Sequence, residues 1–127
     1  MSEASYKLSQ IGQIAVTAHE LDRAVAFYRD TLGLPLLMRF PHLAFFDCAG
    51  VRLMLGVPER PEFDHPASVI YYKVEDIQAA HQALSARGVV FRDQPHLIAR
   101  LPDHELWMAF FEDTEGNTLG LMSEVRP

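Results

Sequence analysis

The sequence runs twice through the same order of elements, and this twofold repeat constrains the fold more than any other feature. The first half opens with an alternating strand, Ile11 to Val16, and continues into an amphipathic helix from about Glu20 to Leu32. Leu21, Ala24, Val25, Tyr28 and Leu32 recur at helical spacing and form one apolar stripe. Gly33 stands where a glycine in the left-handed conformation ends a helix. Three strand-like runs follow, LPLLMRF, HLAFFDC and VRLMLGV, the last two split by a tight turn at Ala49-Gly50.

The second half repeats this order. SVIYYKV is a strand, and EDIQAAHQALSARG is a helix with Ile77, Ala80, His81 and Leu84 on one stripe and Gly88 as its terminator. VVFRD, HLIAR, ELWMAFFED and TLGLMSE then read as strand-like, with turns at LPDH (Leu101 to His104) and TEGN (Thr114 to Asn117). Aligning the first strands sets Gln13 against Val69, an offset of 56, and aligning Gly50 with Gly116 gives 66. Each half is therefore βαβββ. A single unit leaves one sheet face uncovered by its lone helix. Two units together make an α+β fold, a curved, cup-like mixed sheet with helices outside, whose hollow is the natural ligand site. We read one domain over residues 1–127, with modules at 8–57 and 68–124 and a proline- and charge-rich linker, PERPEFDHPA, at 58–67.

Composition narrows the functional classes. Of the 127 residues 49% are apolar and 22% charged, which suits a globular core. The net charge of −6 and the scattered basic residues disfavour nucleic acid. The polar N-terminus carries no secretory h-region, and no run approaches the roughly 18 apolar residues of a membrane span. Cys48 is the single cysteine, so no disulfide framework exists. The expectation is a cytoplasmic protein with no nucleic-acid or membrane partner.

Two stretches, LDRAVAFYRDTLGL (Leu21 to Leu34) and FFEDTEGNTLGLM (Phe110 to Met122), resemble the vicinal oxygen chelate superfamily. That superfamily includes glyoxalase I, fosfomycin and bleomycin resistance proteins and extradiol dioxygenases. The resemblance spans about residues 8 to 124 and implies the paired-module fold; it is a weak guide to reaction type. It also implies four inward-facing metal positions, on the first and fourth strands of each repeat, usually His or Gln and then Glu. In this sequence they are Gln13, Met54, Val69 and Gly120. Gln13 alone is a plausible ligand, since Met54 is a soft thioether and the other two supply none. No metal or other cofactor is expected at the usual positions.

The remaining candidates come from strand alternation. Val69, Tyr71 and Lys73 share one face, and Arg52 shares a face with Met54. Gln13, Arg52, Tyr71 and Lys73 are expected to form the polar end of the hollow. Met54, Val69 and Trp107 are expected to form its apolar wall, and Gly120 to leave room for an organic ring. An inward arginine suits a carboxylate, and a Tyr-Lys pair suits an anionic or phenolic ligand. Among the six histidines His42 and His96, near strand starts, are the candidates for proton transfer. Asp113 and Asn117 flank a turn and are assigned to local hydrogen bonds. The function expected is binding of a small organic ligand, anionic or aromatic, in the sheet cavity. The alternative is an enzyme of the same superfamily, a glyoxalase-like lyase, isomerase or dioxygenase, using acid-base residues or an atypical metal site. Open sheet edges and apolar strands predict a homodimer.

Overall fold

The computed structural model describes residues 8–127, and in it each half of the chain builds its own mixed sheet. The first module contains β1 (Gln13–Thr17), α1 (Leu21–Ala26), β2 (Leu36–Arg39), β3 (Leu43–Cys48) and β4 (Val51–Gly56). The second contains β5 (Ile70–Lys73), α2 (Ile77–Ala86), β6 (His96–Arg100), β7 (Glu105–Glu112) and β8 (Thr118–Val125). A short 3-10 turn, Pro61–Phe63, lies in the linker. Strand order is β1-β4-β3-β2 in one sheet and β5-β8-β7-β6 in the other. The first strand of each module is parallel to the last, and the hairpins are antiparallel. This is the duplicated α+β architecture expected from the repeat, divided into two four-stranded sheets.

The two halves correspond along their parallel ladders, Ile14–Leu53 matching Ile70–Leu119. Ala18 N–H donates to the Gly56 carbonyl and Val74 N–H to the Met122 carbonyl, each at 2.9 Å. These pairs give the same offsets, 56 and 66, as the sequence alignment, so Gln13 matches Val69 and Met54 matches Gly120. Gly33 (φ 82°) and Gly88 (φ 95°) are both left-handed where the helices were expected to stop.

Three local differences have physical causes. The first strand begins at Gln13, two residues late, because its ladder runs only from the Gln13–Arg52 pair onward. VVFRD is not a strand; it makes one isolated bridge, Phe91 to Phe111, and Val89 is buried there while Val90 is exposed. The first helix changes at Phe27 into a π-helical segment, Phe27–Thr31, closed by Leu32 N–H to the Phe27 carbonyl at 2.9 Å. The widened turn coincides with Tyr28, whose hydroxyl is held from the other module.

Each helix covers one face of its own sheet and leaves the other face open. Period-two alternation sends Val16, Ala44, Phe46, Leu53 and Leu55 to the covered face of the first sheet, and Ala109, Phe111, Leu119 and Leu121 to that of the second. With Leu21, Ala24, Val25, Tyr28 and Ile77 from the helices they make one continuous core across both modules.

The turn between β7 and β8 joins the modules. Asp113 is buried and accepts four hydrogen bonds: Tyr28 O–H at 2.6 Å, Asn117 Nδ2 at 2.9 Å, and the backbone N–H groups of Glu115 and Asn117 at 2.8 and 2.9 Å. Asn117 Nδ2 also donates to the Thr17 carbonyl of β1 at 2.9 Å. Glu115 reaches back to the start of α1. Its Oε1 accepts from His19 N–H at 2.8 Å and Glu20 N–H at 3.0 Å, and its Oε2 from Arg23 Nε at 2.9 Å. Glu20, in the N-cap position, makes no side-chain cap bond, so a residue 95 positions away supplies the capping oxygen. At the far end Arg87 Nη1 donates to the Thr31 carbonyl at 3.0 Å. The first module's helix is thus held at its start, middle and end by the second module.

Burial alone would raise the Glu115 carboxyl. The Glu20 N–H, Arg23 guanidinium and His19 N–H that it accepts outweigh this and hold it below the usual carboxylate range. A depressed folded pKa means that the carboxylate stabilises fully above its ordinary titration range, and that this share is lost as pH falls through the folded value. Urea midpoints measured from pH 6 down to pH 3 should fall in the wild type. Glu115→Gln should begin lower at pH 6 and fall less; an equal acid slope in both would refute the assignment.

Candidate functional site

Apart from Trp107, the residues expected to line the hollow form two clusters on the open faces of the two sheets. In the first sheet Gln13 faces Arg52 across the β1–β4 ladder, and Met54 is two residues along. Gln13 Nε2 donates to Met54 Sδ at 3.7 Å, a weak contact with a soft acceptor. Arg52 is exposed and its guanidinium lies 5.6 Å from the centre of the Phe45 ring. It makes no ion pair among the described residues. Phe45 pairs with Met54 in the β3–β4 register and so shares this face.

In the second sheet Tyr71 pairs with Gly120, and Gly120 with Phe110. The Tyr71 and Phe110 rings meet edge to face, centroids 5.8 Å apart. A Cβ built on Gly120 would come within 2.9 and 3.2 Å of Tyr71 ring carbons and 3.2 Å of Phe110. The room expected at Gly120 is therefore filled by two aromatic side chains, because a residue without a side chain lets both rings settle on the strand. Val69 precedes β5 and is 40% exposed; Tyr71 is 45% exposed. Met108, Met122 and His96 continue this face by register.

Two expectations are corrected by geometry. Trp107 pairs with Ser123 and Leu97, on the covered side with Ala109 and Phe111. It packs against the core beside the α2 start and is no part of the open face. The register of β7, one residue from the alternative, decides this. The expected cationic pair of Arg52 and Lys73 is also absent. The two cations stand on different sheets, and Lys73 Nζ is neutralised by Glu124 Oε1 at 3.2 Å, a residue of the adjoining β8. Arg52 is then the unpaired positive charge of the open faces among the described residues.

Phe110, Phe45 and Glu124 belong to these faces although the sequence reading did not select them. The signal was available: once Gly120 is placed on the inner row, the hairpin register sends Phe110 and Glu124 to the same row as Tyr71 and Lys73. His42 lies outside the strands; its carbonyl accepts from Val57 N–H at 3.0 Å. His96 Nδ1 lies 3.0 Å from the Gln94 carbonyl and 3.7 Å from Asp93. Among the described residues no three His, Cys, Asp or Glu side chains converge as a metal set. No helix among them is long and apolar enough to cross a membrane.

This architecture, two βαβββ modules with an open face on each sheet, defines a family. The model of the Glyoxalase/Bleomycin resistance protein/Dioxygenase superfamily matches residues 10–121, and the chain belongs to that superfamily. An uncharacterized Bacillus subtilis protein, YraH, is 26% identical over 124 residues, covering 84% of this chain and 92% of its own length. The crystal structure of TnmS3, an antibiotic binding protein from Streptomyces, aligns with a TM-score of 0.73 at 25% identity, covering 92% of this chain and 97% of that one. Lactoylglutathione lyase from Agrobacterium tumefaciens aligns at 0.72 with 24% identity over 92% and 95% of the two chains.

The aromatic pair over Gly120 generates a direct expectation. Gly120→Ala must displace the Tyr71 ring and should cost about 1–3 kcal/mol in chemical denaturation, the range for overpacking. Tyr71→Ala in the same chain should recover most of that loss. A double-variant cost equal to the sum of the two single-variant costs would show that the two residues are not coupled.

Proposed function

We propose that the protein binds a planar, aromatic or anionic small molecule on its open sheet faces, without a metal at the family's usual positions, and that a second copy of the chain supplies the cover. The observation that carries this reading is the Tyr71–Phe110 pair seated on Gly120. Exposed aromatic edges on a strand suit stacking against a flat ligand. Arg52, unpaired and held over Phe45, suits a carboxylate or phenolate at the ligand's edge. The four positions that would hold a metal offer one amide, already turned to a thioether, one thioether, a valine and a glycine. One neutral amide does not hold a divalent cation against water. The likeness to an antibiotic binding protein agrees with a binding role.

Exposure supports the dimer. Leu37, Met38 and Phe40 at one sheet end, and Val69, Tyr71 and Ile98 on the other sheet, are between 40% and 51% exposed. Apolar sheet surface of this kind is normally covered. No hydrogen bond or ion pair among the described residues links the Gln13–Arg52–Met54 cluster to the Tyr71–Gly120 cluster. A partner's second module laid against the first would bring the two together.

The test is calorimetric titration of aromatic carboxylates into protein kept in chelator. Binding should be unaffected by the chelator and weakened about threefold to tenfold by Tyr71→Ala and by Arg52→Ala, the scale of one aromatic or ionic contact. Binding that needs added Zn²⁺, Ni²⁺, Mn²⁺ or Fe²⁺, or that ignores both substitutions, would refute the reading.

A further inference from the structure

Behind the open face of the second sheet, on its covered side, a cleft of about 250 Å³ lies between α2 and the segment that follows the first module's helix. Leu34, Tyr72, Ala80, Leu84, Phe111 and Leu121 form most of its wall, and among the described residues no charged side chain lines it. Ala80 and Ala83 on the facing side of α2 are too small to fill it. Tyr72 contributes a second, independent feature: its hydroxyl is buried and has no hydrogen-bond partner among the described residues. Buried polar groups are nearly always satisfied, so an orphan hydroxyl calls for an explanation. Burial, and then the neighbouring Cys48 and Asp113, raise the phenol above its ordinary range, so it stays protonated and remains a donor.

We propose that this cleft is a second ligand site, for a neutral single-ring or short-chain molecule whose one hydrogen-bond acceptor takes the Tyr72 hydroxyl. Size supports a single ring, since apolar cavities of about 150 Å³ take a benzene molecule. The uncharged wall excludes an anion or cation. The free donor selects an acceptor such as a ketone or ether oxygen over a plain hydrocarbon. The site goes beyond the open-face reading and does not rest on it. Tyr72 and Leu121 alternate with Tyr71 and Gly120 along β5 and β8, so they face the opposite side of the same strands.

The experiment compares acetophenone with ethylbenzene, which share a carbon skeleton and differ in the acceptor oxygen. Affinities are read by ligand-observed NMR and checked by the shift in melting temperature. Both should bind saturably, acetophenone about fivefold to tenfold tighter, as one hydrogen bond allows. Tyr72→Phe should remove that preference and leave ethylbenzene unchanged. Ala83→Leu, at an exposed helix position on the cleft rim, should weaken both by more than tenfold. Tyr71→Ala should leave the Tyr72-dependent preference for acetophenone unchanged. Absence of saturable binding, an acetophenone preference that survives Tyr72→Phe, or full affinity in Ala83→Leu would overturn the proposal. Loss of both probes in Tyr71→Ala would overturn it too, while supporting the open face as the site.

Discussion

The buried carboxylate of Asp113 is the point on which the arrangement of the two modules depends. A carboxylate out of water is costly unless every oxygen is met by a donor, and here four donors meet it. One of the four, Tyr28, comes from the other module, and burial together with the adjoining carboxylate keeps that phenol protonated. Removing either partner leaves a buried polar group unpaired, a loss of about 1–3 kcal/mol or more for a charged one. Glu115 and Arg87 add the two ends of the same helix to this seam. Fixing the helix sides together in this way has a consequence for function. The faces that carry Gln13, Arg52, Tyr71 and Gly120 are turned outward, away from the common core.

Much of this was legible in the sequence. Alternation and helical spacing placed both modules, and two glycines marked the helix ends, because these patterns report local geometry directly. The correspondence of Gln13 with Val69 and of Met54 with Gly120 came from aligning one half on the other, and the ladders reproduce it. The seam was harder to see. Asp113 and Asn117 read as turn residues, and they do make a turn, but their bonds to Tyr28 and Thr17 cross 85 and 100 residues of chain. No local pattern encodes a partner at that distance. Trp107 was misplaced for a different reason: along an aromatic strand such as ELWMAFFED both rows are apolar, so the pattern does not say which faces the helix. Lys73 was read without its neighbour because Glu124 reaches it only through the parallel β5–β8 pairing and β8's own period of two.

Gly120 shows how a position without a side chain changes what a fold can hold. Sequence reading treats the glycine as vacant space. In the structure its neighbours on β5 and β7 close over it, so the position contributes an aromatic surface. The scaffold is compatible with a stacking surface where one strand residue is a glycine and two adjoining residues are rings. Chemistry in such a fold is set by these few open-face positions and much less by the scaffold, which the seam and the core maintain independently.

The central claim, that one site is assembled from the first module of one copy and the second module of another, is tested most directly by mixing two damaged chains. Arg52→Ala and Tyr71→Ala homodimers should each bind an aromatic carboxylate weakly. If each site takes Arg52 from one copy and Tyr71 from its partner, a mixed dimer of the two variants contains one site with both changes and one with neither. Subunit exchange should then restore wild-type affinity at half the sites, read as a stoichiometry of one ligand per mixed dimer. Persistent weak binding after verified exchange, or a protein that sediments as a monomer throughout, would contradict the account.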